Sequence, residues 1–383
     1  MFDKNQRESL AMRYERIFSF LAPLIAILIS FVIGGIIILF LGKNPIQGYA
    51  LLFSGSLGSA QKIASSLISA CPLIFTSLAA TFAYKCGVFN LGGEGQFIMG
   101  AVASITVALT SGVEGVPGIL LCLIAGIVAG ALWAAIPAIM KITRGLNEMI
   151  TSIMLNYVAT LFMGYIYTSV FRDGANPQTP AISDSLKLYR FSGFRIHVGV
   201  IIAVVLAVLI AYVLNKTSFG FKIRAVGINP LAARVNGFPV KALIFAAFII
   251  SGAIAGLGGS VELLGKQYRL MSGFGDGFGF DGVAVALIAQ LSPIGSLVVA
   301  IFFGVLTTGA SSMQVGIAVP TSIVEIIRAL IIIFSVSGMA WMRLPKTKQL
   351  FAELAARREA RAEKVGGASM SVAAASSEEG ARS

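Results

Sequence analysis

Long apolar stretches, interrupted by short polar or glycine-rich ones, run along the chain from Ile17 to about residue 344. About 20 predominantly apolar residues cross the hydrocarbon core of a bilayer. On that rule helices fall near 17–41, 63–84, 94–112, 116–140, 148–171, 197–214, 241–264, 281–291, 294–313 and 321–342. The eighth is short and stops at Ser292-Pro293. The predicted fold class is all-α, a polytopic membrane protein of about ten transmembrane helices. The first stretch is longer than the apolar region of a signal peptide and no small-residue cleavage pattern follows it, so it reads as a retained span. Residues 1–16 form a polar N-terminal segment, 17–344 the transmembrane domain, and 345–383 a tail. From about Arg357 that tail loses nearly all large apolar residues and is expected to be disordered.

Basic residues orient the spans. One set of loops holds Lys4, Arg7, Arg13, Arg16, Lys85, Lys141, Arg144, Lys216, Lys222, Arg224, Arg234, Lys241 and every basic residue from Arg343 onward. The alternate loops hold fewer than half as many. Cytoplasmic loops carry the Lys and Arg excess, which puts both termini in the cytoplasm. The net charge of +12 is therefore an orientation signal and does not point to nucleic acid. Composition agrees: 57% of residues are hydrophobic and only 12% charged, about half the charge of an average soluble domain. A soluble enzyme is excluded, and the longest inner loop, 215–240, leaves no room for a catalytic domain.

Several chemistries fall away on motif grounds. Cys71, Cys86 and Cys122 form no CxxC pair, and His197 is the one histidine, so no metal site and no catalytic residue is expected. Gly277–Gly282 matches GxGxxG without the strand a dinucleotide site needs. Ser260–Gln267 lacks the first Gly and the final Ser or Thr of a phosphate loop.

Two glycine-rich breaks stand out. Phe89–Gln96 carries three glycines around Glu94, which opposes a continuous helix and leaves backbone groups free. Such groups are tolerated in a membrane only against protein or a wet cavity. Gly273–Gly282 is a second acid-bearing break before a small-residue helix. The two enter from opposite faces, the pattern of inverted-topology halves with a site between them. Acids at or inside spans (Glu94, Glu148, Glu262, Asp281 and Glu325) are expected to face a cavity or a partner, because an ionised group at mid-bilayer costs ~2.5–3.5 kcal/mol. For Glu325, Arg328 is one such partner. Glu148, Ser152 and Asn156 make one polar stripe, lining either a pore or a helix contact. Gly126-x-x-x-Gly130 and Gly252-x-x-x-Gly256 read as helix-packing surfaces. The inner segment 215–240 reads as one or two short amphipathic turns closed by Gly237, a docking element for a cytoplasmic partner.

The runs GVFNLGGEGQFIMGA (Gly87–Ala101), LNEMITSIMLNYVA (Leu146–Ala159), RAVGINPLAARVNGFPV (Arg224–Val240), SGAIAGLGGSVELLG (Ser251–Gly265) and GFDGVAVALIA (Gly279–Ala289) resemble the larger permease subunit of bacterial nucleoside ABC importers. That family sits within the ribose, simple-sugar and branched-chain amino-acid permeases. The resemblance runs from about Leu21 to Leu344 and departs at Ala289-Gln290, where relatives usually carry glycines. It implies a subunit of the bacterial cytoplasmic membrane, without an ATPase site, that moves nucleosides by ATP-driven alternating access. A second homologous permease, cytoplasmic ATPase subunits and a lipid-anchored binding protein are the implied partners. This chain is expected to bind no cofactor, with ATP and Mg on the partner ATPases. The solute path is assigned to Phe89, Asn90, Glu94, Gln96, Glu148, Asn156, Tyr157, Asp281 and Glu325. Coupling to the ATPase is assigned to Arg224, Gly227, Asn229, Ala232, Ala233 and Gly237, with Ala232 and Ala233 as the contact face. A permease for simple sugars such as ribose and an ion-coupled secondary transporter are the alternatives.

Overall fold

The computed structural model describes residues 4–191 and 196–342, so the tail 345–383 lies outside the described residues. Two compact units are present. One comprises the chain up to Gly34 and from Ile326, and holds most of α1 (Lys4–Phe40) and of α13 (Ser322–Met342). The other, Gly35–Glu325, carries α2 (Pro45–Leu57), α3 (Ala60–Lys85), α4 (Gly93–Thr110), α5 (Gly115–Arg144), α6 (Glu148–Tyr165) and α7 (Val198–Lys216). It continues with α8 (Ser218–Ile228), α9 (Pro230–Val235), α10 (Val240–Glu262), α11 (Phe278–Ile288) and α12 (Pro293–Ile317). The protein is an all-α polytopic membrane protein. Seven helices among the described residues are long and apolar enough to cross a bilayer: α1 from Pro23, α3, α5, α6, α7, α10 and α12, the α6 and α10 spans each including a π-helical turn.

All ten predicted stretches fall on helices. Three differences have physical causes. The region read as a loop between the first two spans contains α2, started by Asn44, whose Oδ1 accepts from Ile46 N–H at 2.9 Å, and by Pro45 in the first turn. At 13 residues it is too short to cross a bilayer, and Gly48, Gly55 and Ser56 lie on its buried face: a Cβ on Gly55 would overlap the Ser312 side chain of α12. The docking segment is two helices, α8 and α9. Finally, α11 starts at Phe278 instead of 281 and ends at Ile288, because Gln290 and Leu291 both take left-handed backbone (φ 54° and 57°) before Ser292 caps α12. Neither is a glycine, the residue that takes this conformation without strain.

α3 is the central helix of the larger unit, with every residue from Ala70 to Tyr84 buried. Its residues are apolar or small all round, as a helix enclosed on every side must be. Around it, α4, α5 and α10 approach at backbone contact. The two small-residue motifs meet one another: a Cβ on Gly256 would lie 2.9 Å from Gly130 Cα and overlap Gly126 C=O, and one on Gly130 would overlap Gly252 C=O. Lipid supplies no hydrophobic drive between helices, so this close approach, with its van der Waals contact, is what holds them together. Ser104 Oγ adds hydrogen bonding at 2.7 Å to both Cys122 C=O and Ser260 Oγ.

The two loop sets separated by charge gather at opposite ends of this unit. At one end, Lys141 at the end of α5 pairs with Glu148 at the start of α6, and α8 packs on the end of α3. At the other, the extended 173–191 strap bonds the chain after α10 through Thr179 N–H to Leu270 C=O, Ile182 N–H to Tyr268 C=O and Leu188 N–H to Leu264 C=O, each at 2.9 Å. Lys187 pairs there with Asp184 and holds its carboxyl below the usual range. The pair is exposed at Asp184, where solvent leaves such pairs little weight.

Gly130→Leu is expected to separate α5 from α10 and destabilise the fold by ~1–3 kcal/mol or more through overpacking. Gly164→Ala, where an added Cβ meets nothing nearer than 3.9 Å, is expected to be silent. Thermal unfolding of the two variants in detergent, followed by size-exclusion fluorescence, compares them directly.

Candidate functional site

The first break begins where α3 ends. Gly87 takes φ +75°, its N–H and that of Val88 bond back to Tyr84 and Ala83, and the chain leaves the helix. Between here and α4 the backbone runs non-helically through protein, and its polar groups need partners. Side chains from three helices supply them. Asn90 Oδ1 accepts from Gly92 N–H at 3.0 Å and from Gln96 Nε2 at 3.1 Å. Its Nδ2 donates to Gln96 Oε1 at 3.0 Å and to Ser251 Oγ on α10 at 2.9 Å. Ser251 in turn donates to Ala79 C=O on α3 at 2.8 Å. Asn156 on α6 accepts from Gly95 N–H and donates to Leu91 C=O, both at 2.9 Å. Ser251 is half-way along α10, so the break lies deep within the helical bundle.

The second break meets the first. Gly273, Gly275 and Gly277 each take φ +81°, which L side chains rarely adopt, and the ribbon of tight turns they form leads into α11. This conformation, and not phosphate binding, accounts for the glycine spacing. The ribbon wraps Phe97 of α4, whose ring centroid lies 6.2 Å from Phe274 and 5.7 Å from Phe278. Gly279 packs on Glu94 itself, where an added Cβ would overlap Glu94 N, Cα and Cβ, and Glu94 Oε2 is buried there without a hydrogen-bond partner. Phe89 and Phe280 stand 44% and 45% exposed, with Glu94 half-buried. Each break thus leaves one aromatic ring partly uncovered.

Of the residues assigned to a solute path, Asn90, Gln96 and Asn156 have their amides committed to the protein and are buried. Glu148 pairs with Lys141. The stripe it begins faces the first break, with Ser152 Cβ 3.2 Å from where a Gly92 Cβ would stand. Tyr157, 64% exposed, is on the outward face of α6. Asp281 sits in the first turn of α11, and Glu325 is exposed in the first turn of α13. Trp133 of α5 carried no motif, yet its indole Nε1 lies 3.1 Å from where a Gly95 Cβ would stand, buried and without a partner. A lone tryptophan in an apolar helix gives no signal of such a place.

Among the coupling residues, Asn229 caps α9, its Oδ1 accepting from Leu231 and Ala232 N–H at 3.0 Å. Gly237 ends the helix with φ +79°. Arg224 is partly buried near Lys85. Gly227 seats α8 on the end of α3: a Cβ there would overlap Lys85 C=O and lie 3.0 Å from Gly87 N. Ala232 is exposed, whereas Ala233 is packed inside at 4% exposure. The free apolar face is instead Ile228, Leu231 and Val235, at 86%, 71% and 81% exposure, beside Ala232.

Residues 62–336 match the family described as branched-chain amino acid transport system / permease component. The nucleoside ABC transporter permease protein NupB of Lactococcus lactis is 38% identical over 88% of this chain and 97% of its own. The guanosine ABC transporter permease protein NupP of Bacillus subtilis is 35% identical over 85% and 95%. The glucose ABC transporter permease protein TsgB13 of Haloferax volcanii is 34% identical over 84% and 88%. The first two bacteria each have a second, more distant relative, NupC (29% identical over 64% of this chain) and NupQ (31% over 63%).

Asn156→Ala leaves Gly95 N–H and Leu91 C=O unpaired in the interior and is expected to destabilise the protein by ~1–3 kcal/mol. Tyr157→Phe, one residue away on the exposed face, is expected to change stability by less than ~0.5 kcal/mol. Melting temperatures of the two purified variants test the contrast.

Proposed function

The chain belongs to the branched-chain amino acid transport system / permease component family, and we propose that, as an ABC transporter permease, it carries nucleosides across the membrane by alternating access. One observation carries the reading: two glycine-broken helices meet deep in the bundle at Glu94, and each leaves an aromatic ring, Phe89 or Phe280, partly uncovered. Lipid cannot cover a carboxylate beside broken helices without a large penalty, so this junction needs protein or water. A second, homologous permease supplies the cover, with the solute path between the two. The paired relatives from two bacteria support that arrangement.

A nucleoside is uncharged, rich in hydrogen-bonding groups and flat on one side. Phe89 and Phe280 suit the flat base, and Glu94 suits the polar edge or the sugar. Asn90, Gln96 and Asn156 act behind the path, holding the break in shape. No basic cluster stands at the breaks to balance a phosphate, so nucleotides are rejected. The glucose permease among the relatives supports a second reading, a sugar permease. Cells with the complete transporter are expected to take up labelled guanosine or uridine, with unlabelled nucleoside competing. Ribose, glucose and nucleoside monophosphates should not compete. Equal competition by glucose or ribose would establish the sugar reading instead.

Energy enters from ATPase subunits docked in the cytoplasm on α8 and α9. The exposed Ile228 at the end of α8 and Leu231 and Val235, one turn apart on α9, form the apolar surface such a partner buries, with Ala232 beside them. Both termini are cytoplasmic in this reading, and a binding protein delivers solute at the end covered by the 173–191 strap. Leu231→Glu places an unpaired charge in the buried interface. It is expected to abolish uptake while leaving membrane insertion intact, measured by transport and by co-purification of the ATPase. Unchanged uptake would move the dock elsewhere.

A further inference from the structure

The 173–191 strap runs between two π-helical turns. α6 ends in the first, Ile166–Val170, closed by Phe171 N–H to Ile166 C=O at 2.8 Å, and the strap follows it. α10 ends in the second, Leu263–Gln267, closed by Tyr268 N–H to Leu263 C=O at 2.8 Å, and the strap rests on it. Such a turn holds one residue more than an α-helical turn and is frequent at functional sites. α6 and α10 are also the helices whose Asn156 and Ser251 hold the first break.

The strap is held by a latch and not by a packed core. Besides the three backbone bonds to Leu264, Tyr268 and Leu270, Leu270 N–H donates to Thr179 Oγ1 at 3.0 Å and Arg190 Nη2 to Gly265 C=O at 2.9 Å. Lys187 Nζ and the Arg190 guanidinium lie 4.7 Å and 5.5 Å from the centre of the Tyr268 ring. Tyr268 itself takes φ +62°, where a bulky residue stays only while its surroundings hold it. Of the strap's side chains only Thr179, Ile182, Leu186 and Leu188 are buried. A segment with so few buried contacts opens locally at less cost than the bundle beneath it. Its opening reaches the site, because the latched chain runs from Met271 straight into the Gly273–Gly277 ribbon around Phe97.

We propose that the 173–191 strap is the outer lid of the path, which unlatches from residues 264–271 once per transport cycle and moves the second break as it does so. This rests on the reading that solute arrives at this end. A lid that must open sets the pace of the cycle, so locking it stops uptake.

Gln178 and Met271 are antiparallel bridge partners. Such a pairing sets Cα atoms about 4.5–5.5 Å apart, within the reach of a disulfide. The complete importer carrying Gln178→Cys and Met271→Cys is placed in proteoliposomes with its binding protein, and labelled guanosine uptake is measured after copper phenanthroline and again after dithiothreitol. Oxidation is expected to lower uptake at least about tenfold, dithiothreitol to restore it, and each single variant to stay unaffected. Full uptake with the disulfide verified by peptide mass spectrometry would overturn the lid. A second variant decides if the disulfide does not form. Leu270 is fully buried and bonded to the strap, and Leu270→Cys is expected to react with a membrane-impermeant thiol reagent during turnover and not at rest. Equal reaction in both conditions, or none in either, would overturn the lid as well. Labelling from the cytoplasmic side alone defeats the orientation and leaves the disulfide lock to judge the strap. If the importer carries glucose and no nucleoside, the lock is read with glucose.

Discussion

A backbone that leaves its helix inside a membrane must find every hydrogen-bond partner within the protein or in trapped water. In the stretch from Gly87 to Gly92, the N–H groups of Gly87, Val88, Asn90 and Gly92 and the C=O of Leu91 find theirs in the protein, and much of the larger unit is arranged around that requirement. Asn90 and Gln96 form a reciprocal amide pair, Ser251 links that pair to α3 and α10, and Asn156 closes the far side from α6. Each of these polar side chains would be a liability in an apolar core if its partner were lost, since a buried unpaired group costs about 1–3 kcal/mol. Satisfied together, they make an irregular segment rigid. The glycine contacts between α4, α5 and α10 serve the same end, because side chains from α4, α6 and α10 reach one segment only where backbones approach closely.

Rigidity at the break is what the proposed alternating access requires. A loose loop would absorb a push from one end of the unit, whereas a segment pinned by backbone contacts passes it on. The short helices α8 and α9 lie beside the end of α3, with apolar Ile228, Leu231 and Val235 uncovered and Gly227 pressed on that end. The proposed dock and the first break are therefore neighbours through Gly227 and the Phe82–Phe219 ring contact. In the proposed pair of permeases, Phe89 and Phe280 would border the enclosed solute.

Much of this was legible in the sequence, and the remainder was hidden for identifiable reasons. Hydropathy placed the ten long stretches, and glycine spacing placed both breaks and both packing motifs. α2 escaped because its 13 residues fall short of the ~20 that a membrane span needs. α11 was set three residues late because Gly279 and Gly282 looked like continuing breaks. Only Gly273, Gly275 and Gly277 use the left-handed conformation, and the later two are small for contact with Glu94 and Thr76. Polar residues near the break were recognised as important, but a sequence does not say whom an amide will bond. The link from Asn90 to Ser251 joins residues 161 apart. Ala232 and Ala233 likewise look alike in sequence, and only packing separates the exposed one from the buried one.

Whether Phe89 and Phe280 border a solute path can be read directly by cysteine accessibility. The native Cys71, Cys86 and Cys122 are all buried, so the background is quiet. Phe89→Cys and Phe280→Cys in the assembled transporter are predicted to react with a small charged thiol reagent and to be protected by guanosine, while Leu161→Cys on the outward face of α6 stays unreactive. Failure of both path cysteines to react in any nucleotide state, or reaction unaffected by solute, would contradict the account.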